Sequence, residues 1–399
     1  MADDGRHRRL TLALCFAAVV CEGVDIQSMG LAAPRMAPAL GLAREQLGPV
    51  FSASLVGLLI GAVVFGRVAD RLGRKWMLVA CLGLFGAFSL ATALVGDLQS
   101  LLIVRVLAGL GLGGALPILL ALSAEALSPA TRTRTVTRLT CGMPLGGALA
   151  GLVAANFGWK EIFYFGAAAP LALVPLMALA MPESRAFLAT RARPSPKGDS
   201  IGDYARILFG GGRAVSTLLL WIASFGSILS LYGLLNWMPI LLGDKGLSKS
   251  DASLVALLFN VGAVLGVLIL AGLLEGRGKR LALGLWYLGL GVSLVALAYV
   301  GKDFPSAALA GFTTGFTLSS VPLPLYGLAP GYYAVAMRGT GVGASVAVGR
   351  LGAIVGPLLA ASLLGLGVGA TGVLLAILPI SAVAGGATLA LLGRPLLPD

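Results

Sequence analysis

From residue 10 to residue 393 the chain is a succession of apolar runs separated by short connectors that hold most of its charge. Twelve runs are marked, at 10–34, 48–69, 75–96, 99–124, 134–156, 161–181, 214–240, 250–274, 281–300, 304–328, 338–365 and 368–393. A helix rises about 1.5 Å per residue, so a run of about 20 residues crosses the roughly 30 Å of hydrocarbon in a bilayer. The runs are too long for strands and lack strict alternation, which excludes a β-barrel. The pattern predicts an all-α integral membrane protein with 12 transmembrane helices.

Two connectors repeat. Gly66-Arg67-Val68-Ala69-Asp70-Arg71-Leu72-Gly73-Arg74-Lys75 returns 205 positions later as Ala271-Gly272-Leu273-Leu274-Glu275-Gly276-Arg277-Gly278-Lys279-Arg280. In both, an acid ends one run, a glycine follows three residues on, and two cations open the next. The same offset lays Gly142-Met143-Pro144-Leu145-Gly146-Gly147 over a glycine-rich stretch ending at Gly356-Pro357. Small residues at such spacing let membrane helices approach closely. The longest polar stretch, 182–213, lies near the middle. The expected organisation is a six-helix bundle at 1–181, a cytoplasmic linker at 182–213 and a second six-helix bundle at 214–399. The two bundles are pseudo-symmetric halves, a design characteristic of transporters.

Composition sharpens this reading. The chain is 58% hydrophobic and 12% charged, with a net charge of +12, and its mean hydropathy is +0.94. Of 29 Lys and Arg, 21 fall in the tail and connectors on one side and 6 on the other, with Arg105 and Arg350 left inside runs. That bias places both termini in the cytoplasm. The cations form no basic face, so nucleic acid is not a partner; the partners are lipid, protons and a small substrate. Cys15, Cys21, Cys81 and Cys141 show no metal or redox spacing and read as lipid-facing or packing side chains. The one histidine, His7, is in the polar tail, which removes imidazole from any relay in the membrane. With no nucleophile–base pair or H-E-x-x-H arrangement, neither enzyme chemistry, a cofactor nor a metal is expected. Residues 6–20 look like a signal peptide. The run continues past Glu22 and Asp25 to Pro34 without a small-residue cleavage site, and reads as an uncleaved first span. A monomer is the default assembly.

An ionisable group in a bilayer is costly and needs a reason. Glu22 and Asp25 are three residues apart in the first run, on one helical face, and Arg105 lies at similar depth in the fourth. A carboxylate that trades a guanidinium partner for a proton supplies proton coupling. Arg350 lies twelve residues beyond Arg338, about 18 Å in at helical rise. No acid of the second half matches its depth. Either a substrate carboxylate supplies the anion, or Glu22 or Asp25 pairs with it. Tyr232 and Asn236 in the seventh run, and Phe312, Phe316 and Tyr326 in the tenth, are candidates to line a ring site, with Asn236 or Tyr232 to hydrogen-bond a ring hydroxyl. Asp25 is a further candidate for substrate contact. Trp237, near the outer end of its run, reads as interfacial belt. Asp70, Arg71, Arg74, Glu125 and Glu275 sit at run ends and are candidate gate charges.

The hinge, the doubled six-run pattern and Arg105-Val106-Leu107-Ala108-Gly109-Leu110-Gly111-Leu112-Gly113-Gly114 resemble the major facilitator superfamily. Glu22-Gly23-Val24-Asp25-Ile26-Gln27, Gly48-Pro49-Val50-Phe51-Ser52-Ala53, Ser123-Ala124-Glu125, Cys141-Gly142-Met143-Pro144-Leu145-Gly146 and Pro182-Glu183-Ser184 are similar to its aromatic acid:proton symporter family. The combination of Glu22, Asp25-Ile26-Gln27, Ala32-Ala33-Pro34-Arg35 and Val346-Ala347-Val348-Gly349-Arg350 is most similar to the 3-(3-hydroxyphenyl)propionate branch. The resemblance implies proton-driven uptake of an aromatic carboxylate across a bacterial inner membrane. It implies coupling roles for Glu22, Asp25 and Arg105 and a loop role for Asp70. Uptake of hydroxybenzoate- or protocatechuate-type acids and proton-driven drug efflux are the alternatives.

Overall fold

The computed structural model describes residues 2–125, 139–181, 183–184, 201–274, 278–333 and 337–395; the side chains at 2–8, 67, 70, 120, 121, 124, 125, 201–203 and 323 lie outside the description. Among the described residues there are fourteen α-helices and no strand. Ten of the helices are long and apolar enough to cross a membrane.

The chain forms two compact units. The first contains α1 (Ala2–Ala39), α2 (Arg44–Leu72), α3 (Arg74–Thr92), α4 (Leu98–Glu125), α5 (Gly142–Asn156) and α6 (Trp159–Ala180). The second contains α7 (Ile201–Phe209), α8 (Ala214–Asp244), α10 (Lys279–Tyr299), α11 (Phe304–Leu318), α12 (Pro322–Leu328), α13 (Arg338–Gly365) and α14 (Ala370–Leu391). The helix α9 (Lys249–Leu273) contributes Lys249–Leu257 to the first unit and its remainder to the second.

Both units use the same internal pairings. In the first, α1 packs on α5, α2 on α4 and α3 on α6; in the second, α8 packs on α13 and α10 on α14, and α9 meets α11 through Gly262, Gly266 and Gly315. With no hydrophobic drive between helices in lipid, close backbone approach does this work. A methyl placed on Gly57, Gly61, Gly109 or Gly113 would fall on a backbone carbonyl oxygen of the facing helix, α4 for the first two and α2 for the others. Gly109→Ala therefore has no space at Ser54 and is expected to cost about 1–3 kcal/mol, the usual penalty of overpacking. Gly284 of α10 has open space around it, so Gly284→Ala is the matched control. Melting curves of the two purified variants in detergent check this, and equal midpoints would contradict it.

A second echo of the repeat lies in the helix starts. Asp97 accepts from the Ser100 backbone N–H (2.9 Å) before α4, and Asp303 accepts from the Ser306 N–H (3.0 Å) before α11, 206 positions on. These hydrogen bonds hold Asp97, through the Ser100 backbone N–H, and Asp303, through Ser306, below the ordinary carboxylate range. The caps are thus complete above that range and weaken as pH falls through it.

Several expectations change. The tenth run is one predicted span but two helices, α11 and α12, followed by a 3-10 turn at Ala329–Tyr332. Pro322, Pro324 and Pro330 each lack an N–H and block a continuous helix. Ser320 Oγ donates to the Phe316 and Thr317 carbonyls. The Trp286 indole N–H donates to the Thr317 carbonyl (3.1 Å) and to Ser320 Oγ (2.7 Å), stitching the break to α10. The fifth run is described only from Leu139. Within 182–213, residues 201–209 form a helix rather than plain connector. Trp237 is not interfacial: it is 0% exposed, and its indole N–H donates to the Pro357 carbonyl at 3.0 Å. All four cysteines are buried packing residues.

Candidate functional site

In the first unit, four helices converge on one ion pair. The helix α1 is brought against α5 by Gly23, where a methyl would fall on the Met143 carbonyl oxygen, and Gly146 repeats the approach from α5 against Val20. Held so, α1 points Asp25 at Arg105 of α4. Arg105 Nη1 donates to Oδ1 at 3.0 Å and Nη2 to Oδ2 at 2.8 Å. The exposures are 1% and 0%. Ser89 of α3 donates its hydroxyl to Oδ1 at 3.2 Å. From α6, the Phe163 ring lies 5.8 Å from the guanidinium carbon. Arg105 Nε is buried and has no hydrogen-bond partner among the described residues; both terminal nitrogens engage the one carboxylate end-on. A two-bond fork of this kind is strong and directional. Its desolvation cost offsets most of its attraction, so its contribution is to position rather than to net stability. Glu22, one turn before Asp25, is 2% exposed.

The expected approach of the first-run acids to Arg105 is thus realised by Asp25. Ser89 and Phe163 were not singled out from sequence. A serine within an apolar run and an aromatic are each too ordinary to stand out, and only their convergence on the pair marks them.

In the second unit, Arg350 is half-buried on α13. Tyr326 of α12 is 47% exposed. Among the described residues of that unit no carboxylate forms a salt bridge with Arg350. Asn236 is 4% exposed, and its amide donates to the Tyr232 carbonyl one turn back at 2.8 Å. Tyr232 is half-buried on the same helix. Phe316 stacks on Trp286 with centroids 4.9 Å apart and on Phe312 at 6.5 Å, so these rings pack on one another at the α11–α12 break.

At the run ends, the side chains of Asp70 and Glu125 and the whole of Glu275 lie outside the described residues. Arg71 is exposed and Arg74 half-buried. Gly73 joins α2 to α3 at φ 105°, a conformation that favours glycine. Its counterpart Gly278 has an ordinary φ of −92°. Glu183 Oε1 accepts from the Lys75 backbone N–H (2.9 Å) and from the Ser184 N–H (2.9 Å). It thereby caps α3 from 108 positions away. Glu183→Ala is expected to lose about 0.5–2 kcal/mol of local stability, as other lost caps do. Faster deuterium uptake in a peptide covering the start of α3 is the readout; unchanged uptake there would discount the cap.

Residues 15–357 match the family profile of the Major Facilitator Superfamily. The chain belongs to the Major Facilitator Superfamily. This superfamily member is 43% identical over 96% of its length and 94% of the relative's to the 3-(3-hydroxy-phenyl)propionate transporter of Escherichia coli strain K12. It is 34% identical to a gallate transporter of Pseudomonas putida, over 91% of this chain and 87% of that one. With the 4-hydroxybenzoate transporter PcaK of Pseudomonas aeruginosa the identity is 33%, over 94% and 90%. Among solved structures, a bacterial homologue of the human lysosomal transporter Spinster superposes with a TM-score of 0.78 at 16% identity, covering 98% and 99% of the two chains. The human organic anion transporter MFSD10 superposes with 0.72 at 18%, covering 96% and 99%. At such identities the superpositions establish the fold. The protein is a multi-pass membrane transporter of this superfamily and not an enzyme.

Proposed function

We propose that this transporter takes up an aromatic carboxylate together with protons across the bacterial inner membrane, by alternating access, as a monomer with both termini in the cytoplasm. The preferred substrate is 3-(3-hydroxyphenyl)propionate or a close analogue. The observation that carries the reading is Arg350: a half-buried cation within the apolar run of α13, with no carboxylate salt bridge among the described residues of its unit. A guanidinium is matched to a carboxylate's two oxygens, and an intramembrane charge marks a substrate or ion path by default. Asp25 has both oxygens on Arg105, which disfavours its serving as the partner of Arg350. The aromatic part of the proposal leans on relatives whose names specify aromatic acids. Tyr232 and Asn236 are offered as contacts to the ring or its hydroxyl.

Proton coupling is assigned to Glu22, Asp25 and Arg105 with distinct roles. The fork and the Ser89 hydroxyl keep Asp25 as the fixed anion of Arg105. Glu22, equally shut off from water and one turn away, carries the exchangeable proton. Glu22→Gln is therefore expected to keep substrate exchange between the two faces and to lose accumulation driven by a pH gradient. Counterflow and gradient-driven uptake in vesicles separate the two, and gradient-driven accumulation by this variant would remove Glu22 from the coupling path. The gate roles of Asp70, Arg71, Arg74, Glu125 and Glu275 belong to the same proposal.

The decisive experiment is uptake by purified protein in vesicles with an imposed pH gradient. It compares 3-(3-hydroxyphenyl)propionate, hydroxybenzoates and a cationic drug. Preference for hydroxybenzoates would move the substrate toward the protocatechuate type. Transport of the cation alone would replace the proposal with drug efflux, which the charge of Arg350 opposes.

A further inference from the structure

We propose that the second unit holds a phospholipid with an anionic headgroup at the joint of α7 and α8. An open groove of about 530 Å³ runs along α8, α13 and α14. Leu218, Trp221, Ile222 and Phe225 of α8, Val348 of α13 and Val383 of α14 line it. Its walls are apolar throughout, and Leu218, Ile222 and Val383 are 44–61% exposed. A groove of this kind accepts a hydrocarbon chain and offers nothing to a polar ligand.

One end of the groove is different. Trp221 stands edge-on to Phe209, the last residue of α7, with centroids 5.6 Å apart at 81°. The helix α7 is anchored there. Leu208 belongs to the buried cluster of the unit, and the Thr217 hydroxyl donates to the Leu208 carbonyl at 2.7 Å. Arg206 of α7 remains exposed. Arg213, at the junction with α8, donates from Nε to the Ile207 carbonyl (3.0 Å) and from Nη2 to the Arg206 carbonyl (3.1 Å). Arg206 and Arg213 thus lie at the end of α7 whose Phe209 meets Trp221 of the groove wall. Tyr204 and Phe209 are exposed on α7, as suits a helix lying in a membrane interface; the helix carries one acid, Asp203, and one base, Arg206, so Arg213 is the cation in excess at this joint. Apolar chain and negative headgroup are the complement of this arrangement, and basic pockets on membrane helices select anionic lipids by charge.

The test uses purified full-length protein in lipid bilayer discs of phosphatidylcholine. Brominated phosphatidylglycerol or brominated phosphatidylcholine is added at equal mole fraction. Bromine on the acyl chains quenches tryptophan at contact. The chain has five tryptophans, so the difference between wild type and Trp221→Phe isolates Trp221. The proposal expects half-quenching of Trp221 at roughly fivefold lower mole fraction for the anionic lipid, the preference of about one interfacial cation. It also expects Arg206→Gln, which leaves the Arg213 contacts in place, to narrow that gap. Equal quenching by both lipids would show ordinary surrounding lipid and overturn the proposal. So would the absence of any Trp221 component. Should Trp221→Phe fail to fold, Trp221→Tyr serves for the same subtraction; the measurement involves no transport, so it is independent of the proposed substrate.

Discussion

Asp25→Asn is expected to abolish accumulation of substrate and also to destabilise the protein by about 3–5 kcal/mol, the cost of leaving one charge of a buried pair uncompensated. The fork sets the size of that cost. Arg105 is 1% exposed and its two terminal nitrogens both end on Asp25, so an amide there leaves a full charge among Phe163, Ser89 and apolar neighbours. The double variant Asp25→Asn/Arg105→Gln removes both charges and is expected to recover most of the lost melting temperature. It is not expected to recover uptake. Melting curves in detergent together with vesicle uptake separate structural from coupling roles. A single variant that melts with wild type would remove the ion pair from the stability account. A double variant that accumulates substrate would remove it from transport.

Arg350→Gln is expected to weaken binding of an aromatic carboxylate by about 2–5 kcal/mol, the usual loss on truncating one member of a hydrogen-bonded charge pair. At 1.4 kcal/mol per decade that is roughly 30-fold or more in Kd. Stability is expected to change little, because Arg350 has no salt bridge to lose among the described residues of its unit. Arg350→Lys keeps the charge without the planar fork and falls between the two. Titration of the purified variants with 3-(3-hydroxyphenyl)propionate measures this directly. An unchanged Kd would return Arg350 to a packing role.

Much of the site was legible because a bilayer penalises every stranded charge. Glu22, Asp25, Arg105 and Arg350 stood out against apolar runs, where a soluble core would have hidden them among many polar residues. Their partners were less legible. Glu22 and Asp25 differ by about 60° around a helix with 3.6 residues per turn, so both fit one face and local sequence does not select between them. The direction of α1 is set by Gly23 against the Met143 backbone, a contact 120 positions distant. Ser89, Phe163 and the Glu183 cap are of the same kind. Each is an ordinary residue whose meaning comes from a neighbour far along the chain.

The amino-acid order by itself determined the apolar spans, the repeated halves and the bias of Lys and Arg between connectors. Lipid offers the backbone no hydrogen bonds, so the span must be a helix and its length is read directly. Tertiary structure decided which carboxylate engages Arg105, that Trp237 faces inward to Pro357, and that the tenth span breaks at Ser319–Val321 where Trp286 and Ser320 take up its carbonyls. These outcomes depend on which faces of neighbouring helices come within van der Waals and hydrogen-bond reach. That is a property of packing, which helical periodicity leaves undetermined.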